Sequence, residues 1–112
     1  MRSIQNLLSE FYTQLNSIDN LTCYHYERAE DYQIPYGVWA EQGESDSFHA
    51  DNGKKEQVIE GVLDFYTQAE FDPLVDDIQE ILNQMASGWI LDSVLYEDET
   101  KLIHYSWSWE IA

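Results

Sequence analysis

Basic residues are nearly missing from this chain. Its 112 residues include five Lys and Arg against 22 Asp and Glu, a formal charge of −17. A field of that sign repels phosphate, which excludes a conventional DNA, RNA or anionic-membrane binder. There is a single cysteine, Cys23, so no internal disulfide can form. Cys23 sits in an alternating apolar run, the setting of a small buried hydrophobe. Long apolar runs are lacking too. Met1–Ser17 has polar residues at every turn, so neither a signal peptide nor a membrane span is expected, and the protein is expected in the cytoplasm.

The motifs of several chemistries are also lacking. No Gly-rich phosphate loop, G-x-S-x-G elbow, HExxH or CxxC occurs. His25 and His104 fall on expected strands and His49 in an expected loop, with nothing in their spacing to bring them together. Asp76 and Glu80 share a helix face at i, i+4, but two carboxylates without a third ligand do not hold a cation, and a solvated face explains them. Asp46, Asp51 and Asn52 miss the EF-hand spacing. No catalytic residue, cofactor or metal is expected.

What the chain does have is apolar and aromatic side chains, at 44% and 14%, enough for one globular core over 1–112. Ile4, Leu7, Leu8, Phe11 and Leu15 recur at helical spacing, predicting a helix over 2–17 with Ser3 as a possible cap. Leu21–Glu27 and Tyr36–Ala40 read as strands, with Pro35 at an edge or strand entry. From Glu41 the apolar pattern stops, and 42–55 is expected to be a long flexible polar loop. Val58–Thr67 is apolar on both faces, as a central strand covered on both sides would be. Asp72-Pro73 starts a second helix, with Asp72 as cap, which Gly88 stops. Trp89–Tyr96 is a strand and 97–101 a turn. The last ten residues alternate cleanly: Ile103, Tyr105, Trp107, Trp109 and Ile111 face one way. The predicted order is α-β-β-β-α-β-β, an α+β fold with a mixed or antiparallel sheet and both helices packed against it.

Charge is unevenly spread. Residues 60–80 carry Glu60, Asp64, Glu70, Asp72, Asp76, Asp77 and Glu80 and no base, whereas Lys54 and Lys55 form the only adjacent basic pair. Different surfaces are expected to meet different neighbours. The outward residues of the last strand, His104, Ser106 and Ser108, form a neutral strip on an acidic protein, suited to contact with another subunit.

Pro35-Tyr36-Gly37-Val38-Trp39, the polar stretch after it and Val58–Thr67 resemble the small tail-completion proteins of long-tailed bacteriophages and prophages of Gram-positive bacteria. So do the Asp72-Pro73 helix, Trp89 and His104-Tyr105-Ser106-Trp107. The family comprises tail terminators and minor tail or head–tail joining components. The resemblance covers most of the chain and rests on patterns of strand and helix. It implies a structural protein that assembles as a ring, usually of six copies, on the tail tube. Its partners would be copies of itself, tail-tube protein and head-connector protein, in the host cytoplasm during assembly and then in the virion tail. Carried over, loop 42–55 with Phe48, Lys54 and Lys55 faces the ring interior. Helix Ile4–Leu15, with Leu8 and Tyr12, meets a neighbouring subunit or the tube. The chain is short for such a terminator, which leaves a different connector component open. An acidic lumen wall would let DNA slide past. The same acidity fits a different role, a DNA mimic that inhibits a host defence nuclease.

Overall fold

The computed structural model describes residues 3–45 and 57–112. Two helices and five strands follow the predicted order: α1 (Ile4–Leu15), β1 (Thr22–His25), β2 (Tyr36–Glu44), β3 (Ile59–Thr67), α2 (Leu74–Met85), β4 (Gly88–Glu97) and β5 (Leu102–Ile111). The strands form one mixed sheet in the order β1-β2-β3-β5-β4. Among the described strands only β1 and β2 are parallel; the other pairings are antiparallel. The fold is α+β.

Both helices lie on the same face of the sheet. Leu7, Leu8, Phe11 and Leu15 of α1 and Ile78, Ile81 and Leu82 of α2 share one core with Trp39, Leu63, Phe65, Trp107, Trp109 and Ile111. Phe11 meets the Trp39 and Trp109 indoles edge-on, at ring-centroid distances of 5.1 and 4.8 Å. The alternation in β5 holds where it matters most: Trp107, Trp109 and Ile111 are buried, while Tyr105 and Ile103 toward the other end are half-buried.

Several boundaries move. Strand β2 runs on to Glu44, with an irregularity in register between Glu41 and Gly43, so 42–44 belong to the sheet and not to a loop; 46–56 lie outside the described residues. A β-bulge absorbs the polar residues there without ending the pairing. Among the described residues the two-sided cover expected for β3 is absent. Val62, Asp64 and Tyr66, on the face away from the helices, are only half-buried, and Glu60 is exposed. Among the described residues their shielding is lateral: Tyr66 lies between the Tyr36 and His104 rings, Asp64 pairs with His104, and Val62 stands between Ala40 and Ser108. Pro35 precedes β2, which is an interior strand, so it marks strand entry.

Helix ends follow side-chain capping. The Ser3 hydroxyl accepts the Asn6 N–H at 3.4 Å. The Asp72 carboxylate accepts the Leu74 N–H at 2.9 Å and the Thr67 hydroxyl at 2.6 Å, so it caps α2 and ties it to the end of β3. Gly88 is not the stop: α2 ends at Met85, Ala86 is already extended, and Gly88 opens β4.

Burial pushes the Cys23 thiol up to about 12. At pH 8 its thiolate is rarer than that of an ordinary cysteine by roughly three orders of magnitude. Iodoacetamide should therefore leave the native protein unmodified over hours by intact mass and label it within minutes in urea. Rapid labelling of the folded protein would show that Cys23 is not sealed in the core.

Candidate interaction surface

A sheet with five strands has two edges, and here they differ. At the β1 edge the Asn16 side chain takes the place of a neighbouring strand. Its amide donates to the Cys23 carbonyl at 3.0 Å, and its carbonyl accepts the Cys23 N–H at 2.9 Å. That edge is four residues long and closed at its middle.

The β4 edge is ten residues long and carries large apolar side chains in the open. Ile90 is 61% exposed, Leu95 56%, Tyr96 59% and Val94 48%, with Leu91 at 37%. A register shift between Leu91 and Ser93 reverses the alternation. Trp89 and Leu91 share the helix-side face with Val94 and Tyr96, because they stand opposite Trp109, Trp107, Tyr105 and Ile103. Ile90, Ser93 and Leu95 stand opposite Ser108, Ser106 and His104 and so share the open face. Helix α2 covers the strand only at Trp89, whose indole N–H donates to Asn83 at 2.9 Å; beyond it, among the described residues, Ile90, Leu91, Val94, Leu95 and Tyr96 stand in water.

The open face carries a row of stacked rings. The Arg28 guanidinium lies 4.2 Å over Tyr32, which meets Tyr36 edge-on at 4.8 Å. Tyr36 stacks on Tyr66 at 4.8 Å, and Tyr66 on His104 at 4.3 Å. Asp64 Oδ1 lies within hydrogen-bond distance of His104 Nε2, at 2.8 Å. Burial first, then the Asp64 charge, pushes the Tyr66 phenol up to about 12, so it stays a neutral donor. A depression of about 560 Å³ opens beside the row, lined by Arg28, Tyr32, Tyr36, Asp64 and Tyr66 among others. Cross-strand aromatic contacts like these stabilise the sheet laterally.

A second histidine pair lies on the helix side. His25 is sandwiched between Trp39 and Tyr26, at centroid distances of 3.9 and 3.8 Å, and its Nε2 is 2.6 Å from Glu41 Oε1. Tyr26 donates to the other Glu41 oxygen. Burial alone raises the Glu41 pKa, but the hydrogen bonds from Tyr26 and His25 outweigh it and hold the carboxylate below its usual range. The arrangement fixes the ring orientation of His25 as a structural pair would.

Phe71 stands out at the far end of β3. It is 88% exposed and takes a left-handed backbone conformation, φ 59°. A bulky residue pays about 1–2 kcal/mol for that conformation. The short connection that presents it is braced: the Ala69 N–H reaches the Thr67 hydroxyl at 3.1 Å, and Thr67 in turn holds Asp72.

The residues singled out in the sequence separate. His104, Ser106 and Ser108 do lie together on the open face, but the strip is not free of charge. Asp64 pairs with His104 at one end, and Asp92 accepts the Ser108 hydroxyl at the other. Carboxylates on β3 and β4 reach it because strand order brings them beside β5. Tyr12 is 46% exposed and able to meet a neighbour, whereas Leu8 is buried in its own core and cannot. Phe48, Lys54 and Lys55 lie outside the described residues. The open β4 edge and both histidine–carboxylate pairs depend on pairing between distant parts of the chain, and Phe71 on a left-handed backbone angle, none of which a local sequence pattern signals. Among the described residues no group of three or more His, Cys, Asp or Glu could hold a metal ion, and no helix is long and apolar enough to cross a membrane. No protein-family model matches this chain, and no curated protein matches it.

Proposed function

We propose that this protein is a structural assembly subunit, a tail-completion or head–tail connector component of a phage or prophage that works as a ring on the tail tube. The observation that carries an assembly role is the outer side of β4, which no strand pairs among the described residues and which carries five exposed apolar side chains on a chain of charge −17. Leaving such groups in water is costly unless another protein covers them, and strand addition at a free edge is a common way to do so. Phe71, held outward at a conformational cost, fits the same role as an anchor. The resemblance of the sequence to tail-completion proteins supplies the tail.

DNA mimicry is the weaker reading. A mimic needs carboxylates in a regular row, and those of residues 60–80 are dispersed. Glu60 and Asp64 lie on the open face, Asp72 is buried at the α2 cap, and Asp76, Asp77 and Glu80 point outward from the helix on the other side.

Tail tubes assembled from the tail-tube protein of a long-tailed phage of a Gram-positive host provide the test. In about 0.5 M NaCl, where like-charge repulsion is screened within a few ångströms, added protein should arrest tube growth and appear as rings on tube ends in electron micrographs. Ser106→Arg, which sets a bulky charge on the open face, should fold normally and lose capping. Phe71→Gly should keep stability within about 1 kcal/mol of wild type, since glycine accepts the left-handed conformation, and should weaken capping. Bare tube ends with wild-type protein at every salt concentration would remove the tail assignment.

A further inference from the structure

Strand β4 not only lies open; it is complementary to itself. We infer that the occupant of this edge is a second copy of the same chain, paired β4 to β4 in antiparallel fashion about a two-fold axis between Asp92 and Ser93.

A two-fold contact requires that if residue i faces residue j, then j faces i. With the axis between Asp92 and Ser93, Trp89 faces Tyr96 of the second copy, Ile90 faces Leu95, and Leu91 faces Val94. Residues directly opposite on an antiparallel pair must project from the same side of the sheet. All three pairs meet that condition: Trp89, Tyr96, Leu91 and Val94 project on the helix side, and Ile90 and Leu95 on the open side. They do so only because the irregularity at Asp92 reverses the alternation midway. With uninterrupted alternation, this axis would set each apolar residue against one on the opposite side.

The charges agree with this register. Asp92 falls opposite Ser93 and Glu97 opposite Gly88, so no carboxylate on the strand faces another. A shift of two residues in either direction sets Asp92 against Leu91 or Leu95. A head-to-tail alternative, in which β4 of one copy adds to β1 of the next, meets an edge already closed by Asn16. The strand itself holds only two acids in ten residues, so a basic foreign strand has little to recognise there.

The product is a continuous sheet of two copies with both open edges mutually covered. The interface is a single strand pair and small beside the roughly 800 Å² per partner of a standard stable complex, so association is weak, in the micromolar range or above. Two bodies of charge −17 also repel. The inference rests on the assembly reading only in taking β4 as a docking edge; it does not depend on the tail.

Sedimentation velocity between about 5 and 500 μM is expected to show a monomer–dimer equilibrium, tightened by about tenfold on going from low salt to 0.5 M NaCl. Ile90→Lys and Leu95→Lys, at exposed positions, should leave the circular dichroism and melting temperature near wild type and abolish the dimer. Register is tested by mixing Ile90→Cys protein with Leu95→Cys protein under mild oxidation, with Cys23 silent in the core. Disulfides should join residue 90 to residue 95 across copies, in preference to 90–90 or 95–95. A monomer at all concentrations and salts overturns the self-pairing, as does preferential 90–90 or 95–95 cross-linking. Either result leaves tube capping by the wild-type protein as an independent outcome, so the two readings fail separately.

Discussion

Gly61→Ala should destabilise the domain by about 3 kcal/mol, at the upper end for an overpacked core, although it adds a single methyl group to a β-strand. A Cβ built at Gly61 lies 2.3 Å from Cζ2 of Trp109 and 2.4 Å from the carbonyl oxygen of Ala40. Neither neighbour can move cheaply. Ala40 is fixed in the β2–β3 ladder opposite Val62, and Trp109 is buried and packed against Phe11. Glycine is therefore required for close approach, not for an unusual backbone angle. Gly37 offers a graded comparison, since its added Cβ would meet the Cys23 Sγ at 2.9 Å, a side chain with some freedom to shift. Gly88 has nothing within 4 Å and serves as the control, with Gly88→Ala expected within about 0.5 kcal/mol of wild type. Urea denaturation of the three variants should rank them Gly61, Gly37, Gly88. A Gly61→Ala protein that unfolds within 1 kcal/mol of wild type would show that Trp109 does not lie over β3 as described.

The requirement at Gly61 shows where sequence reading stops. The alternation in β5 could be read because the period of two is local and one face is buried. That Trp109 crosses Gly61 could not, because the β3–β5 pairing joins residues some fifty apart in the chain. Element order and type were legible for the same reason as β5: helical spacing in α1 and α2 and β-favouring runs elsewhere are local signals. The candidate surface was largely illegible. In β4, Trp89-Ile90-Leu91 and Val94-Leu95-Tyr96 are two apolar triplets around Asp92-Ser93, and nothing local says that a register shift sits between them. Nor does the sequence say that this strand, and not β3, lies at an edge, since strand order is a global property. Asp64 reaches His104 only through the β3–β5 register, which the spacing of the histidines along the chain does not show. Leu8 is an instructive case in the other direction. Its place in the apolar stripe of α1 already assigned it to the core, and that local signal prevailed over the role implied by resemblance.

Phe11→Ala is the second large effect expected, and Tyr12→Ala beside it is the comparison that gives it meaning. The two residues are consecutive on α1, yet Phe11 is fully buried and Tyr12 is half in water. Phe11 fills the space between the Trp39 and Trp109 indoles, whose Nε1 groups are buried without a hydrogen-bond partner among the described residues. Removing the ring costs its transfer energy plus that of the cavity left behind, about 3–5 kcal/mol. Collapse around the gap is restrained, because both indoles are held by the sheet. Alpha1 is twelve residues long, too short to persist as a helix in water without its packed face. Loss of Phe11 should therefore loosen the whole helix and not a single contact. Tyr12 touches Trp39 and His25 only by tilted contacts at 6.0 and 6.3 Å, so Tyr12→Ala should cost about 1 kcal/mol or less. The near-ultraviolet dichroism of the buried tryptophans and urea denaturation provide the measurements. Phe11→Ala should lower the denaturation midpoint sharply and flatten the tryptophan signal, while Tyr12→Ala leaves both nearly unchanged. Equal effects of the two substitutions would mean that α1 presents a different face to the sheet, and the core built on Trp39 and Trp109 would have to be redrawn.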